Sequence, residues 1–171
     1  MFTVISLSAQ SALEVSLPDV ISGESIPLKS HLSSKGMVVI FFSAKCPFTK
    51  YYEERLARII SEYVSKGMSF VVVNSNSMES KDLMIAQSEL FSAPYLLDKD
   101  KALANLLGAK KSPEVFVLNN NGEIYYSGAV DDNPQVSNDV RMHYLKTAVD
   151  GLLKGAPASV KKNRPAGCMI K

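Results

Sequence analysis

The sequence predicts an α/β domain in which a central mixed sheet carries helices on both faces. Three observations point there. A β-branched and aromatic run, Met37 to Ser43 (MVVIFFS), is followed by an amphipathic helical pattern and then by a second run, Met68 to Asn74 (MSFVVVN). An Asn-Gly pair, Asn121-Gly122, separates two further β-rich runs, which is a strong hairpin signal. The 171 residues, 46% hydrophobic and 21% charged, suit one domain with one ordinary core, not a disordered or fibrous chain.

Each element follows in chain order. Residues 8–36 are rich in Ser and carry Pro18, Gly23, Pro27 and Gly36, so they read as an irregular or edge-strand lead-in. Met37 to Ser43 reads as a strand buried on both faces. From Phe48 the apolar residues Tyr52, Leu56, Ile59, Ile60, Tyr63 and Val64 recur at helical spacing, with Lys50, Glu53, Glu54, Arg58 and Glu62 opposite them and Gly67 closing the pattern. Met68 to Asn74 is then a parallel neighbour of the first strand, joined by a right-handed crossover. Helices are predicted over Lys81–Leu90 and Lys101–Leu107, the latter stopped by Gly108. Glu114–Leu118 and Glu123–Ser127 form the antiparallel hairpin, and a last amphipathic helix spans 138–153 through Val140, Tyr144, Ala148 and Leu152. Beyond Gly155 the chain reads as an irregular tail. The expected organisation is a lead-in (1–35), the sheet domain (36–154) and a basic tail (155–171) that carries Cys168.

Charge and composition narrow the function. The net charge is +2, but five of the 19 basic residues (Lys154, Lys161, Lys162, Arg164, Lys171) follow residue 153, leaving 14 basic against 17 acidic residues before it. A nucleic-acid binder would carry its basic face on the folded part, so none is expected as a partner. The longest apolar run, Met37 to Phe42, is far short of the roughly 20 residues of a membrane span, and no membrane partner is expected. No basic residue precedes Lys29, so FTVISL is a poor secretory signal. The expected location is cytoplasmic, or periplasmic or otherwise extracytoplasmic if a signal was removed. Two cysteines and two scattered histidines, His31 and His143, offer no metal-ligand spacing. Neither metal nor cofactor is expected.

The chemistry points to Cys46. It follows the first buried strand and precedes the long helix, with Pro47 where a helix best tolerates proline. Helix-start amides and Lys45 alongside favour its ionisation. The other reading is a buried cysteine acting as a small hydrophobe.

The blocks FFSAKCPFTKYYEERL, KGMSFVVVNSN, GAKKSPEVFVLNNNGEIYYSGAVDDNP and GCMIK resemble successive segments of the thioredoxin-like redoxins. The subgroup is that of the alkyl hydroperoxide reductase and thiol-specific antioxidant (peroxiredoxin-like) proteins, and the likeness covers about residues 15 to 171. It implies a thioredoxin-like fold, antioxidant oxidoreductase activity and a part in cell redox homeostasis. It also implies that Cys46 is the redox nucleophile and that a cis proline at Pro113 faces it. A cis X-Pro bond makes a tight turn and removes an amide near the thiolate.

The departures from the family pattern are equally specific. Where a CxxC would end, this chain has Thr49 (CPFT), so no dithiol forms within the motif. Thr49 either helps cap Cys46 and reaches its sulfur, or simply builds the first helical turn. Ser43 matches the Thr or Ser that peroxiredoxins place three residues before their cysteine. Val39 stands where they have a proline, and Lys110 and Lys111 where an arginine beside the sulfur would be sought.

Cys168 is the candidate resolving cysteine. The 13 to 15 residues after the last helix reach about 45 Å when extended, enough to return across a domain whose radius of gyration is near 15 Å. An unpaired terminal thiol is the other reading. Asp131 and Asp132 read as turn formers, Glu114 as a surface glutamate at a strand start, and His143 as a surface residue of the last helix.

The sequence therefore supports a thiol oxidoreductase acting through a single active-site cysteine, Cys46, with Cys168 as its candidate partner and Ser43, Pro47, Thr49 and Pro113 in support. It would be a thiol-disulfide oxidoreductase or a peroxiredoxin-like peroxidase. Its substrate would be a disulfide-bearing protein, a small thiol or a hydroperoxide, with an external thiol as reductant. A redox-inert binding module of the same fold is the alternative, because fold alone does not decide activity.

Overall fold

The computed structural model describes residues 4–171, with side chains from residue 9 onward. Residues 2 and 3 of the FTVISL segment lie outside the described residues. The chain opens with helix α1 (Val4–Leu13) and an antiparallel pair, β1 (Ser16–Pro18) and β2 (Ser25–Pro27). Then come β3 (Met37–Phe41), α2 (Pro47–Val64), β4 (Ser69–Asn74), α3 (Lys81–Ser88), β5 (Tyr95–Leu97) and α4 (Ala102–Leu107). The last elements are β6 (Lys111–Ser112), β7 (Glu114–Leu118), β8 (Ile124–Gly128), α5 (Tyr144–Leu153) and β9 (Cys168–Met169).

Five strands form the main sheet in the order β5-β4-β3-β7-β8. β3 pairs in parallel with β4, from Met37↔Ser69 to Phe41↔Val73, and β4 in parallel with β5. On the other side β3 pairs antiparallel with β7, from Met37↔Leu118 to Phe41↔Glu114, and β7 with β8. The sheet is mixed, as the run-helix-run and Asn-Gly signals predict. β3 is central and wholly buried, which is why its sequence is a continuous apolar run rather than an alternating one.

The alternation of side chains along β3 splits the core into two layers. Val38, Ile40 and Phe42 face Tyr52, Leu56 and Ile60 of α2, Met84 of α3 and Leu145 and Val149 of α5. Met37, Val39 and Phe41 face Ala12 of α1 and Leu103 and Leu107 of α4. Helices therefore cover both faces.

Several elements differ from the sequence expectation. The lead-in contains α1, and its Ala12, Leu17 and Leu28 join the second core layer. The α1 stretch is apolar and small on most sides, so it shows little helical periodicity, and packing against α4 decides it. β5 is only three residues long, too short to show a period. Val64, placed on the buried face of α2 by spacing, is exposed, while Thr49 is buried instead. The last helix starts at Tyr144 and not at 138. A single 3-10 turn, Ser137–Asp139, ends at the extended Val140, and Asp132 holds the residues that follow: its carboxylate accepts from the Arg141 amide at 3.0 Å and its own amide donates to the Met142 carbonyl at 3.1 Å.

Candidate active site

Cys46 sits at the N-cap of α2, with extended backbone (φ −76°, ψ 126°) and Pro47 at the first helical position. The strand-Cys-Pro-helix order places it at the end of the sheet where β3 delivers the chain into α2. The residue is 3% exposed. Pro47 has no N–H, and the Thr49 and Lys50 amides donate to the Cys46 carbonyl at 3.2 and 3.4 Å. The Phe48 amide, the first N–H of the helix, forms none of the hydrogen bonds seen among the described residues. The Thr49 hydroxyl is buried and lies 2.6 Å from the carbonyl oxygens of both Ser43 and Cys46. It builds the turn from beneath and makes no bond to the sulfur.

The Ser112–Pro113 peptide bond is cis. It lies against Cys46, whose Sγ is 3.2 Å from the Ser112 carbonyl oxygen. Ser112, which the sequence reading did not single out, ties this loop to the strand end: its Oγ accepts from the Ser43 amide at 2.6 Å. The signal was its place before Pro113.

Cys168 is bonded to Cys46 at a sequence separation of 122, with Cα atoms 6.0 Å apart. The tail reaches this position as a short strand: β9 pairs antiparallel with β6, Lys111↔Met169 and Ser112↔Cys168. The Ile170 amide donates to the Lys110 carbonyl at 3.0 Å, and the Lys111 ammonium to the Gly167 carbonyl at 3.2 Å. Gly167 is required here by close approach, since a Cβ on it would come within 2.4 Å of the Ser112 carbonyl oxygen. Upstream, the Asn163 side chain accepts from the Ala129 amide at 2.7 Å. It lies over Gly128, where a Cβ would meet its oxygen at 2.2 Å. The tail also bridges to β8, where the Ser127 amide donates to the Lys161 carbonyl at 3.0 Å and the Asn163 amide to the Ser127 carbonyl at 3.1 Å, and its residues are half-buried or exposed throughout.

The largest feature that sequence reasoning missed is Glu79. This buried carboxylate lies beneath the loop leading to Cys46 and accepts from the Ala44 amide at 2.7 Å, the Lys45 amide at 2.9 Å, Asn74 at 2.7 Å and Asn76 at 3.2 Å. The Ser43 hydroxyl also donates to it. Burial is the largest single influence and opposes its charge, but the bonds from Ser43, Asn74, Lys45 and Ala44 together outweigh it and hold the carboxyl below its ordinary value of 4.5. Ser43 is thus linked both to Glu79 and to Ser112. A glutamate in the polar loop NSNSMES carries no local pattern that marks it as buried.

Glu114 is buried, not a surface residue: its carboxylate accepts from the Lys110 and Lys111 amides at 2.8 and 2.9 Å. The proline turn before it folds those amides back over its side chain. Asp131 is also buried, ion-paired with Arg55 and accepting from the Tyr52 hydroxyl at 2.8 Å. Burial, with Asp131 adding to it, pushes the Tyr52 phenol well up. Arg55 is thereby committed to Asp131 and to the Asn133 carbonyl. His143 is exposed at the start of α5.

This geometry can be set beside known proteins. The chain is 26% identical over 120 residues to the thiol-disulfide oxidoreductase ResA of Halalkalibacterium halodurans, a match covering 70% of this chain and 67% of that protein. A hypothetical protein of Sinorhizobium meliloti has a crystal structure with a TM-score of 0.84 at 30% identity, covering 94% of this chain and 91% of that one. A secreted Mycobacterium tuberculosis disulfide oxidoreductase shares the fold, with a TM-score of 0.65 at 16% identity over 82% of this chain and 98% of that one. Among the described residues no helix is long and apolar enough to cross a membrane. The AhpC/TSA family model matches residues 9–127, and with its mixed five-stranded sheet the chain belongs to the AhpC/TSA family and has a thioredoxin-like fold.

Proposed function

We propose that this protein is a thiol-disulfide oxidoreductase whose Cys46 and Cys168 alternate between dithiol and disulfide. The observation that carries this is the bond between them, which joins the helix-start cysteine to the only other cysteine of the chain. It makes a working pair of what the sequence offers as one nucleophile and a candidate resolver.

In the reducing direction the Cys46 thiolate attacks one sulfur of a disulfide on a partner protein, and the other partner sulfur leaves as a thiolate. Cys168 then attacks the Cys46 sulfur of the mixed disulfide, the intramolecular bond forms and the second partner thiolate departs. Electrons pass from the two cysteines to the partner disulfide, and the cysteine protons go to the released thiolates. The α2 N-terminus and the Phe48 amide stabilise the Cys46 thiolate. Pro113 keeps an amide out of the sulfur's surroundings, Thr49 holds the first turn, and Ser43 with Glu79 fixes the loop that aims Cys46. An external thiol restores the dithiol.

Intact mass spectrometry tests the reading. Reduced wild type treated with oxidised glutathione should lose two hydrogens and retain no adduct, Cys168→Ser should hold one glutathione on Cys46, and Cys46→Ser should lose the exchange. A persistent adduct on wild type, or equal thiol reactivity in Cys46→Ser, overturns it. Faster oxidation of Cys168→Ser by peroxide than by oxidised glutathione would move the assignment to a peroxidase.

A further inference from the structure

A cleft of about 410 Å³ lies against β9, the strand that carries Cys168, and its lining includes Lys110, Lys111, Lys162, Arg164, Glu114 and Met169. Four cations meet there, Lys110 from the loop before β6, Lys111 from β6 itself and two from the tail. None of them forms an ion pair among the described residues. The one carboxylate, Glu114, is occupied by two backbone amides. Lys110, Lys162 and Arg164 are exposed, and the volume is that of a small-molecule site. The chain before residue 154 carries more acidic than basic residues, so this concentration of positive charge is produced by the fold, which seats the basic tail against Lys110 and Lys111.

The cleft borders the β6–β9 pair that carries Cys168. Met169 follows Cys168 and pairs with Lys111, one register step from the Ser112↔Cys168 pair. The two cysteines are unequally exposed: Cys46 is 3% exposed while Cys168 is half-buried. We propose that the cleft binds a carboxylate-bearing low-molecular-weight thiol that reduces the protein by attacking Cys168 rather than Cys46. This rests on the thiol-disulfide reading and names its reductant class and point of entry.

The step balances. The bound thiolate attacks Cys168 Sγ, a mixed disulfide forms there, and the bond to Cys46 breaks with Cys46 leaving as a thiolate at the α2 N-terminus. A second thiolate attacks the small-molecule sulfur of the mixed disulfide, the small disulfide departs, and the two protein thiolates take up the protons that the two small thiols released. Two thiols are oxidised and one protein disulfide is reduced. Arg164 offers the planar fork that matches a carboxylate, and the lysines supply charge.

The test uses the oxidised full chain. Opening rates per thiolate are compared for glutathione, neutral 2-mercaptoethanol and neutral dithiothreitol, and the first adduct is mapped after acid quench. At low salt glutathione should exceed 2-mercaptoethanol by about 10-fold, the scale of electrostatic steering, with the adduct on Cys168. That ratio should fall toward one in Lys162→Glu/Arg164→Glu, and likewise in about 1 M salt, where the screening length is about 3 Å. Lys162→Gln/Arg164→Gln, with an intermediate ratio, serves if charge reversal disturbs folding. Equal rates for anionic and neutral thiols, a ratio insensitive to these changes, or a first adduct on Cys46 overturns the inference and leaves the exchange reading standing. A disulfide that no thiol opens overturns the exchange reading itself.

Discussion

One bond joins two regions built in opposite ways. Around Cys46 the backbone is tied down at successive residues: the Ser43 amide to Ser112, the Ala44 and Lys45 amides to Glu79, and the Cys46 carbonyl to the first turn of α2. Around Cys168 the chain rests on a two-residue strand pairing and a few tethers, with Met169 53% exposed. A disulfide that must open and close benefits from this asymmetry, because one sulfur keeps its geometry and electrostatics while the other carries the motion.

The largest expected effect comes from reduction. Closing a loop of 122 residues is worth up to about 4.9 kcal/mol in the chain-entropy model, so the oxidised protein should melt well above the reduced one. Hydrogen exchange should locate the loss of protection in residues 155–171. Equal loss around Ser43–Cys46 would break the comparison.

Glu79→Gln comes next. An amide cannot accept on both sides, so at least one of the donors now facing the carboxylate loses its partner inside the fold, at a cost of about 3 kcal/mol. Denaturant unfolding should show this cost in both the oxidised and the reduced protein, because the fixed region is the same in each.

Gly167→Ala sharpens the other side. The new Cβ meets the Ser112 carbonyl, a backbone atom that cannot swing away, and the strain is expected at about 1–2 kcal/mol. It should weaken the oxidised form alone and shift the dithiol-disulfide equilibrium in glutathione buffers toward the dithiol, with the reduced protein's melting unchanged.

Acid gives the smallest effect. Because the folded Glu79 pKa is depressed below 4.5, its contribution to stability is present above that value and is lost as pH falls through the folded one. Residues 155–171 contain no acidic side chain and no histidine, so acid should loosen the loop before Cys46 ahead of the tail's own contacts. Exchange protection followed from pH 6 to about 3 reads the order, and tail release preceding any change at residues 43–46 would contradict it.

What the sequence determined by itself is what local chemistry encodes. The unbroken apolar run of Met37–Phe41 implies a central strand, the spacing of Tyr52, Leu56 and Ile60 implies α2, and Asn121-Gly122 implies the hairpin. Cys46-Pro47 after a strand implies a cysteine at a helix start. Each of these rests on neighbours in the chain, so the pattern survives without knowledge of the fold. Only the tertiary structure decided which distant groups meet: that Cys168 returns to Cys46, that Glu79 lies beneath the loop holding it, and that Lys162 and Arg164 come to rest beside Lys110 and Lys111. A buried carboxylate and an exposed one look alike in sequence. The difference lies in donors such as the Ala44 and Lys45 amides, brought in from more than 30 residues away by the parallel pairing of β3 and β4.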